Sequence, residues 1–140
     1  MIKSLESLEK LSFLTSASSY RLVKLIAKLY DKIKNTPNIG IRNYAVGACI
    51  FEGKQIISFG FNTSKTHPLQ KSIAVKVKAS KRECLHAEVD AILKAKKTDL
   101  SRATLLVIRI KKDGSLGIAK PCSVCSSLIK KVKIKKVIYS

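Results

Sequence analysis

Two short stretches of this 140-residue chain hold residue types that could do chemistry together: His86-Ala87-Glu88 and Pro121-Cys122-Ser123-Val124-Cys125. A histidine and two thiols can hold zinc with three ligands and leave the fourth position to water. Such water is acidic enough to supply hydroxide near neutral pH. A carboxylate two residues from the histidine can stand beside that water without ligating the metal, as a general acid/base must. Cys122 and Cys125, three positions apart at a helix start, turn both sulfurs the same way. The positive end of the helix favours their thiolate forms.

Two other readings compete for the same residues. The CxxC could serve redox exchange, although no thioredoxin-like strand precedes it and the histidine and glutamate would then be idle. Alternatively, Cys84, two residues before His86, could join His86, Cys122 and Cys125 in a closed Cys₃His site with no open position. Cys49, inside a predicted strand, reads as a buried small hydrophobe. His67, in Thr66-His67-Pro68, reads as a loop residue, with a substrate contact or second metal site as alternatives.

The elements that must position these residues follow from periodicity. A short helix at 4–12 is expected from Leu5, Leu8 and Leu11. A clear helix runs over 18–34, with Leu22, Leu25, Ile26, Leu29 and Ile33 on one stripe and Arg21, Lys24, Lys28 and Lys32 on another. The basic stripe reads as a solvated face. Asn35 to Gly40 stops the helix with turn formers and a proline. Strands are predicted at 44–51 (YAVGACIF) and 55–61 (QIISFGF), joined as an antiparallel hairpin by Glu52-Gly53-Lys54. Gly47 and Gly60 interrupt them, marking either bulges or places of close approach.

Residues 62–82 are expected to form a long connection, of a length that is often functional, bearing Lys65, Lys71, Lys76, Lys78, Lys81 and Arg82. A helix over 85–96, a buried strand over 103–110, a loop over 111–120, a helix over 122–131 and a last strand over 134–139 complete the chain. The order α-β-β-α-β-α-β predicts a layered α/β domain with some parallel pairing across its strand–helix–strand units.

Length predicts one domain over 1–140, with a weakly patterned N-terminal segment at 1–18. At 46% hydrophobic residues the chain is not a disordered one. Its longest apolar runs, about eight residues, fall far short of the roughly 20 that span a bilayer, so no membrane association is expected. The first 20 residues carry two glutamates and no continuous apolar core, unlike a signal peptide. With uneven cysteine spacing, this points to the cytoplasm. The net charge of +19, from 28 basic and 9 acidic residues, would attract polyanions. Lysine-rich composition alone accounts for it equally well, and aromatics, the platforms single strands stack on, are only 6%.

With HAE followed by PCSVC, the sequence resembles the cytidine and deoxycytidylate deaminase superfamily, whose signature is H-x-E then P-C-x-x-C. The similarity extends to YAVGACIF, the hairpin ending in GFN, and KKVIY, about residues 44–139. The resemblance implies a three-layer α/β/α domain with a mixed sheet. It implies Zn²⁺ held by His86, Cys122 and Cys125, with Glu88 as the catalytic proton shuttle. It places Asn62 against the substrate sugar and the Ala87 backbone against the base, and it implies a homo-oligomer. Histidine as first ligand, where small nucleoside deaminases typically have cysteine, leans toward the deoxycytidylate, tRNA-editing and polynucleotide branches. The sequence stops just after the fourth predicted strand, where many relatives continue, so a more open pocket or one completed by a second copy is expected. Hydrolytic deamination of cytosine on a free nucleotide or nucleoside (dCMP- or cytidine-like) is the leading expectation. Action on cytosine or adenine in single-stranded DNA or RNA is the alternative favoured by charge. A basic nucleic-acid-binding module with structural zinc is the third.

Overall fold

A computed structural model describes residues 17–37, 44–65, 67–79 and 84–140. The expected helix at 4–12 lies outside the described residues. Helix α1 (Ala17–Asn35) buries Leu22, Ile26, Leu29 and Ile33, while Arg21, Lys24, Lys28 and Lys32 stay exposed. Burying each of those aliphatic side chains contributes about 1.5–3 kcal/mol. Strands β1 (Tyr44–Glu52) and β2 (Gln55–Phe61) form the expected antiparallel hairpin. Gly53, at φ +58°, makes its tight turn. The bulge falls between Ile50 and Phe51, not at either glycine.

The 62–82 connection is not all loop. It contains helix α2 (Pro68–Lys76), which begins with Pro68 in the first turn, where a missing N–H costs nothing. His67 is its N-cap, and the His67 Nδ1 accepts the Leu69 N–H at 3.1 Å. The weak apolar periodicity of PLQKSIAVK hid this helix. Helix α3 (Ala87–Ala95) and strand β3 (Thr104–Lys111) follow. The predicted 111–120 loop holds a second unforeseen element, the two-residue strand β4 (Leu116–Gly117). It folds back on β3 through a turn in which Asp113 accepts from the Ser115 N–H and hydroxyl. Two residues are too few to show alternation. Helix α4 (Ser123–Lys131) and strand β5 (Lys136–Tyr139) complete the described chain.

The five-stranded sheet is mixed and centred on β3. Strand β1 lies antiparallel along one side of β3, with β2 beyond it. Along the other side, parallel β5 covers Thr104–Val107 and antiparallel β4 covers Arg109–Ile110. The parallel pair is therefore β3 with β5, across helix α4. Strands β2 and β3, joined through α3, both run antiparallel to β1 between them.

Alternation along β3 divides the core in two. Leu106, Ile108 and Ile110 join Cys49 under helix α1. Leu105 and Val107 face the opposite layer, where they meet residues of α2, α3 and α4. The result is the expected α/β/α layering. Both strand glycines are places of close approach. A Cβ on Gly47 would collide with Ile33 of α1, and one on Gly60 would strike the backbone of Ala87 and Ala91. Gly60 thus lets the helix carrying Glu88 lie flat on β2. Two polar contacts fix it there: Ser58 Oγ donates to the Ala91 carbonyl at 2.7 Å, and the Phe61 N–H donates to Asp90 Oδ2 at 3.0 Å. No helix among the described residues is long and apolar enough to cross a membrane.

Candidate metal centre and active site

His86 is the N-cap of α3 and Cys122 the N-cap of α4, and neither side chain caps its helix. A capping Ser, Thr, Asp or Asn is worth about 1 kcal/mol over a non-capping residue. Both helices forgo that gain, and their first residues aim at each other. His86 Nδ1 lies 3.2 Å from Cys125 Sγ and 3.4 Å from Cys122 Sγ. The three donor atoms all fall within 4.8 Å of one another.

These spacings fit zinc. Ligand bonds of about 2.0–2.3 Å at tetrahedral angles put a sulfur and a nitrogen about 3.5 Å apart. The donor set, one imidazole and two thiols, is the borderline-soft combination zinc takes. Cys84, the residue that could close the site, lines the adjoining cavity but stands outside the donor cluster. The two CxxC thiols behave as a pair sharing one proton. A hydrogen bond from Cys125, aided by His86, holds the Cys122 thiol down at about 3. The same bond, together with burial, pushes Cys125 up.

Glu88, in the first turn of α3, is 5% exposed. Burial pushes its carboxyl up, opposed by a hydrogen bond with Cys125 and by the His86 charge. A buried carboxyl beside a histidine and two thiols is the kind of perturbed cluster that marks reaction sites. It lines a cavity of about 160 Å³ with His86, Ala87, Asn62 and Cys122. Asn62 is 5% exposed, and its Oδ1 accepts the Val46 N–H at 2.8 Å. That bond orients the amide and leaves Nδ2 for a ligand. All six expected site residues are therefore brought together, with Cys125 behind the cavity wall.

The backbone entering α3 is held from two sides. Thr63 and Leu85 pair through reciprocal backbone bonds of 3.1 and 3.2 Å. Gln70 of α2, 3% exposed, accepts the His86 N–H at 2.8 Å with its Oε1 and donates from its Nε2 to the Cys84 carbonyl. Gln70 escaped the sequence reading because its helix did. Arg109 and Tyr44 also line the cavity. The Arg109 signal was a lone charge inside the apolar run ATLLVIRI.

Cys49 is fully buried, and burial raises its thiol to about 12, as a core residue. His67 is occupied as a helix cap. A second cavity of about 860 Å³ lies between α1, the β1–β2 turn and β5. Its floor includes Leu22, Phe51 and Ile138, and basic side chains rim it.

The profile described as "Cytidine and deoxycytidylate deaminase zinc-binding region" matches residues 22–140. No curated protein matches the sequence. Among solved structures, the dCMP deaminase of cyanophage S-TIM5 in complex with dCMP and dUMP is similar in fold. It is 20% identical over 89% of this chain and 82% of its own, with a TM-score of 0.51. Its apo form is 22% identical over 89% and 84%, also at 0.51. A cytidine deaminase from Mycobacterium tuberculosis is 15% identical over 81% and 79%, with a TM-score of 0.46. The family profile spans the hairpin, both ligand-bearing helix starts and the closing strand, so the chain belongs to the zinc-binding cytidine and deoxycytidylate deaminase family, a family of hydrolases.

Proposed function

We propose that this protein hydrolytically deaminates a cytosine ring to uracil on a free nucleotide or nucleoside. The observation that supports this most is the convergence of two uncapped helix starts, His86 and Cys122, beside a buried glutamate. His86, Cys122 and Cys125 are the residues that would hold zinc. Bound there, zinc supplies a Lewis acid and lowers the pKa of water at its open position.

The chain's own residues do the rest. Glu88, whose carboxyl burial disposes toward the protonated form, takes a proton from the attacking water and gives it to the ring nitrogen. It then passes the second proton to the departing amine, so that water enters and ammonia leaves. One carboxyl serving as base and then as acid needs a pKa moved toward neutrality. The Asn62 amide binds the sugar, and the Ala87 backbone lies along the base. The helix around them is seated on Gly60, which keeps Glu88 in register with the metal ligands.

Purified zinc-loaded protein should release ammonia from at least one of dCMP, cytidine and deoxycytidine. Glu88→Ala should abolish turnover while zinc stays bound. Full zinc occupancy with no ammonia from any of these, or an active Glu88→Ala, would refute the proposal.

A second reading, action on single-stranded nucleic acid, is favoured by the +19 charge and by the basic rim of the larger cavity, with Arg21, Lys24, Lys28, Lys54 and Lys136. It predicts oligonucleotide binding that weakens steeply with salt. A mobility shift across a salt series checks it, and no binding at low salt removes it.

A further inference from the structure

Arg109 sits on β3 with its side chain on the same face as Leu105 and Val107, toward the candidate active site. There it lines the cavity with Glu88, His86 and Asn62. Its guanidinium carbon lies 4.2 Å from the centre of the Tyr44 ring, a stacking arrangement. Stacking occupies a face of the guanidinium plane and leaves its N–H edge to find partners. Among the described residues none is present: Arg109 Nε is buried without a hydrogen bond, and the guanidinium makes no ion pair there. A buried donor without a partner is rare in native folds and calls for an explanation.

The surroundings make room for this side chain. Gly117 of β4 lies opposite Arg109 in the strand pairing. A Cβ there would sit 3.2 Å from Arg109 Cδ, so the glycine lets the arginine stem lie flat against the hairpin. Lys120, exposed beyond β4, is a second cation on the cavity wall, and among the described residues Glu88 is the only acidic one lining it. Glu88 is already engaged with Cys125. A planar, pre-stacked guanidinium with an idle N–H edge matches the bidentate geometry of a phosphate.

We propose that Arg109, held by Tyr44 and backed by Lys120, binds the phosphate attached to the substrate's sugar and so sets a preference for phosphorylated cytosine substrates over nucleosides. This rests on the deaminase reading of the site. The phosphate could be the terminal group of a free nucleotide or a link in a strand, and Arg109 would recognise either by the same chemistry.

The test is a specificity ratio in zinc-loaded protein. Wild type should show kcat/KM for dCMP at least about tenfold above that for deoxycytidine. Arg109→Gln should lower the dCMP value roughly 10- to 100-fold, leave deoxycytidine within about threefold, and bring the ratio near one. Arg109→Lys, which keeps the charge but not the fork, should fall between. An unchanged ratio with oligonucleotide turnover also unchanged, or equal losses on dCMP and deoxycytidine, overturns the assignment. If Arg109→Gln does not fold, Arg109→Lys and Lys120→Gln carry the same comparison. A single-stranded oligonucleotide with one central cytosine, run alongside, assigns the phosphate to a strand if its turnover alone depends on Arg109. Should the wild type turn over no cytosine substrate, the deaminase reading fails separately. Calorimetry with dUMP against deoxyuridine then still decides the role of Arg109: dUMP binding tighter than deoxyuridine and lost in Arg109→Gln supports it, and equal binding of both overturns it.

Discussion

Two cavities of this protein, one beside α1 and one beside Glu88, differ in ways that invert the usual expectation from size. The one beside α1 is about five times larger, roughly 860 against 160 Å³, floored by aliphatic and aromatic side chains and rimmed by lysines. The smaller one, at the facing starts of α3 and α4, gathers a histidine, two thiols, a buried carboxyl, an amide and an arginine. A large apolar pocket is the default place to look for a ligand. Chemistry, however, needs converging groups whose protonation is shifted by one another. Here the difference is built by the backbone. Gly60 brings α3 down onto β2, while Gly47 merely seats Ile33 in the hydrophobic layer under α1.

The largest expected effect belongs to the smaller cavity. Glu88→Gln keeps the side chain's shape but removes its proton exchange, and kcat should fall about 10²- to 10⁴-fold. Metal analysis should find zinc content unchanged. Removing basic residues from the larger cavity, for instance Lys24→Gln with Lys28→Gln, should leave deamination of a free nucleotide within about twofold. A large loss there would erase the functional contrast between the two regions.

Thiol chemistry sharpens the same contrast. In metal-free protein, Cys122, held at about 3 by its neighbours, is thiolate throughout pH 5–8. Its alkylation rate should therefore be nearly flat over that range. Cys49, under α1 and raised by burial to about 12, remains a thiol, so its labelling at pH 7 should be slower by more than about 100-fold. Mass spectrometry of iodoacetamide-treated folded protein checks both. Equal labelling would mean that the α1 layer opens as readily as the active site.

Much of this contrast could be read from residues alone. HAE and PCSVC pointed to the His86, Cys122 and Cys125 donor cluster and to the buried Glu88 beside it, because residue type and spacing carry that chemistry directly. The stripe Leu22, Ile26, Leu29, Ile33 placed α1 for the same reason: it repeats with the helical period. What stayed hidden depends on contacts between segments far apart in sequence. Helix α2 has little periodicity, so Gln70, 16 residues before the backbone N–H it binds, could not be seen as a clamp. Strand β4 is too short to alternate, and without it the stacked position of Arg109 has no visible cause. Gly60 was legible as a site of close approach, but not what would approach it.

Gln70 supplies an intermediate effect. Gln70→Leu keeps the volume and removes both bonds to the 84–86 backbone. It should weaken zinc affinity about 10- to 100-fold, the range for groups that orient metal ligands. Competition with a chromophoric chelator measures this, and Gln70→Glu, which keeps the acceptor for His86 N–H, should recover part of it. The smallest catalytic effect is expected from Ile26→Ala, in the layer under α1. The cavity it leaves should cost about 2–5 kcal/mol of stability, read by urea unfolding. kcat/KM at a temperature where the variant is folded should remain within about twofold.

The central claim is that the metal centre is open: two thiolates and one imidazole, with Cys84 left out. Zinc K-edge X-ray absorption on the loaded protein tests it most directly. The account predicts two sulfur scatterers at about 2.3 Å and two nitrogen or oxygen scatterers at about 2.0–2.1 Å, with the same spectrum in Cys84→Ser. Three sulfurs in the wild type, falling to two in Cys84→Ser, would show a closed structural site and contradict it.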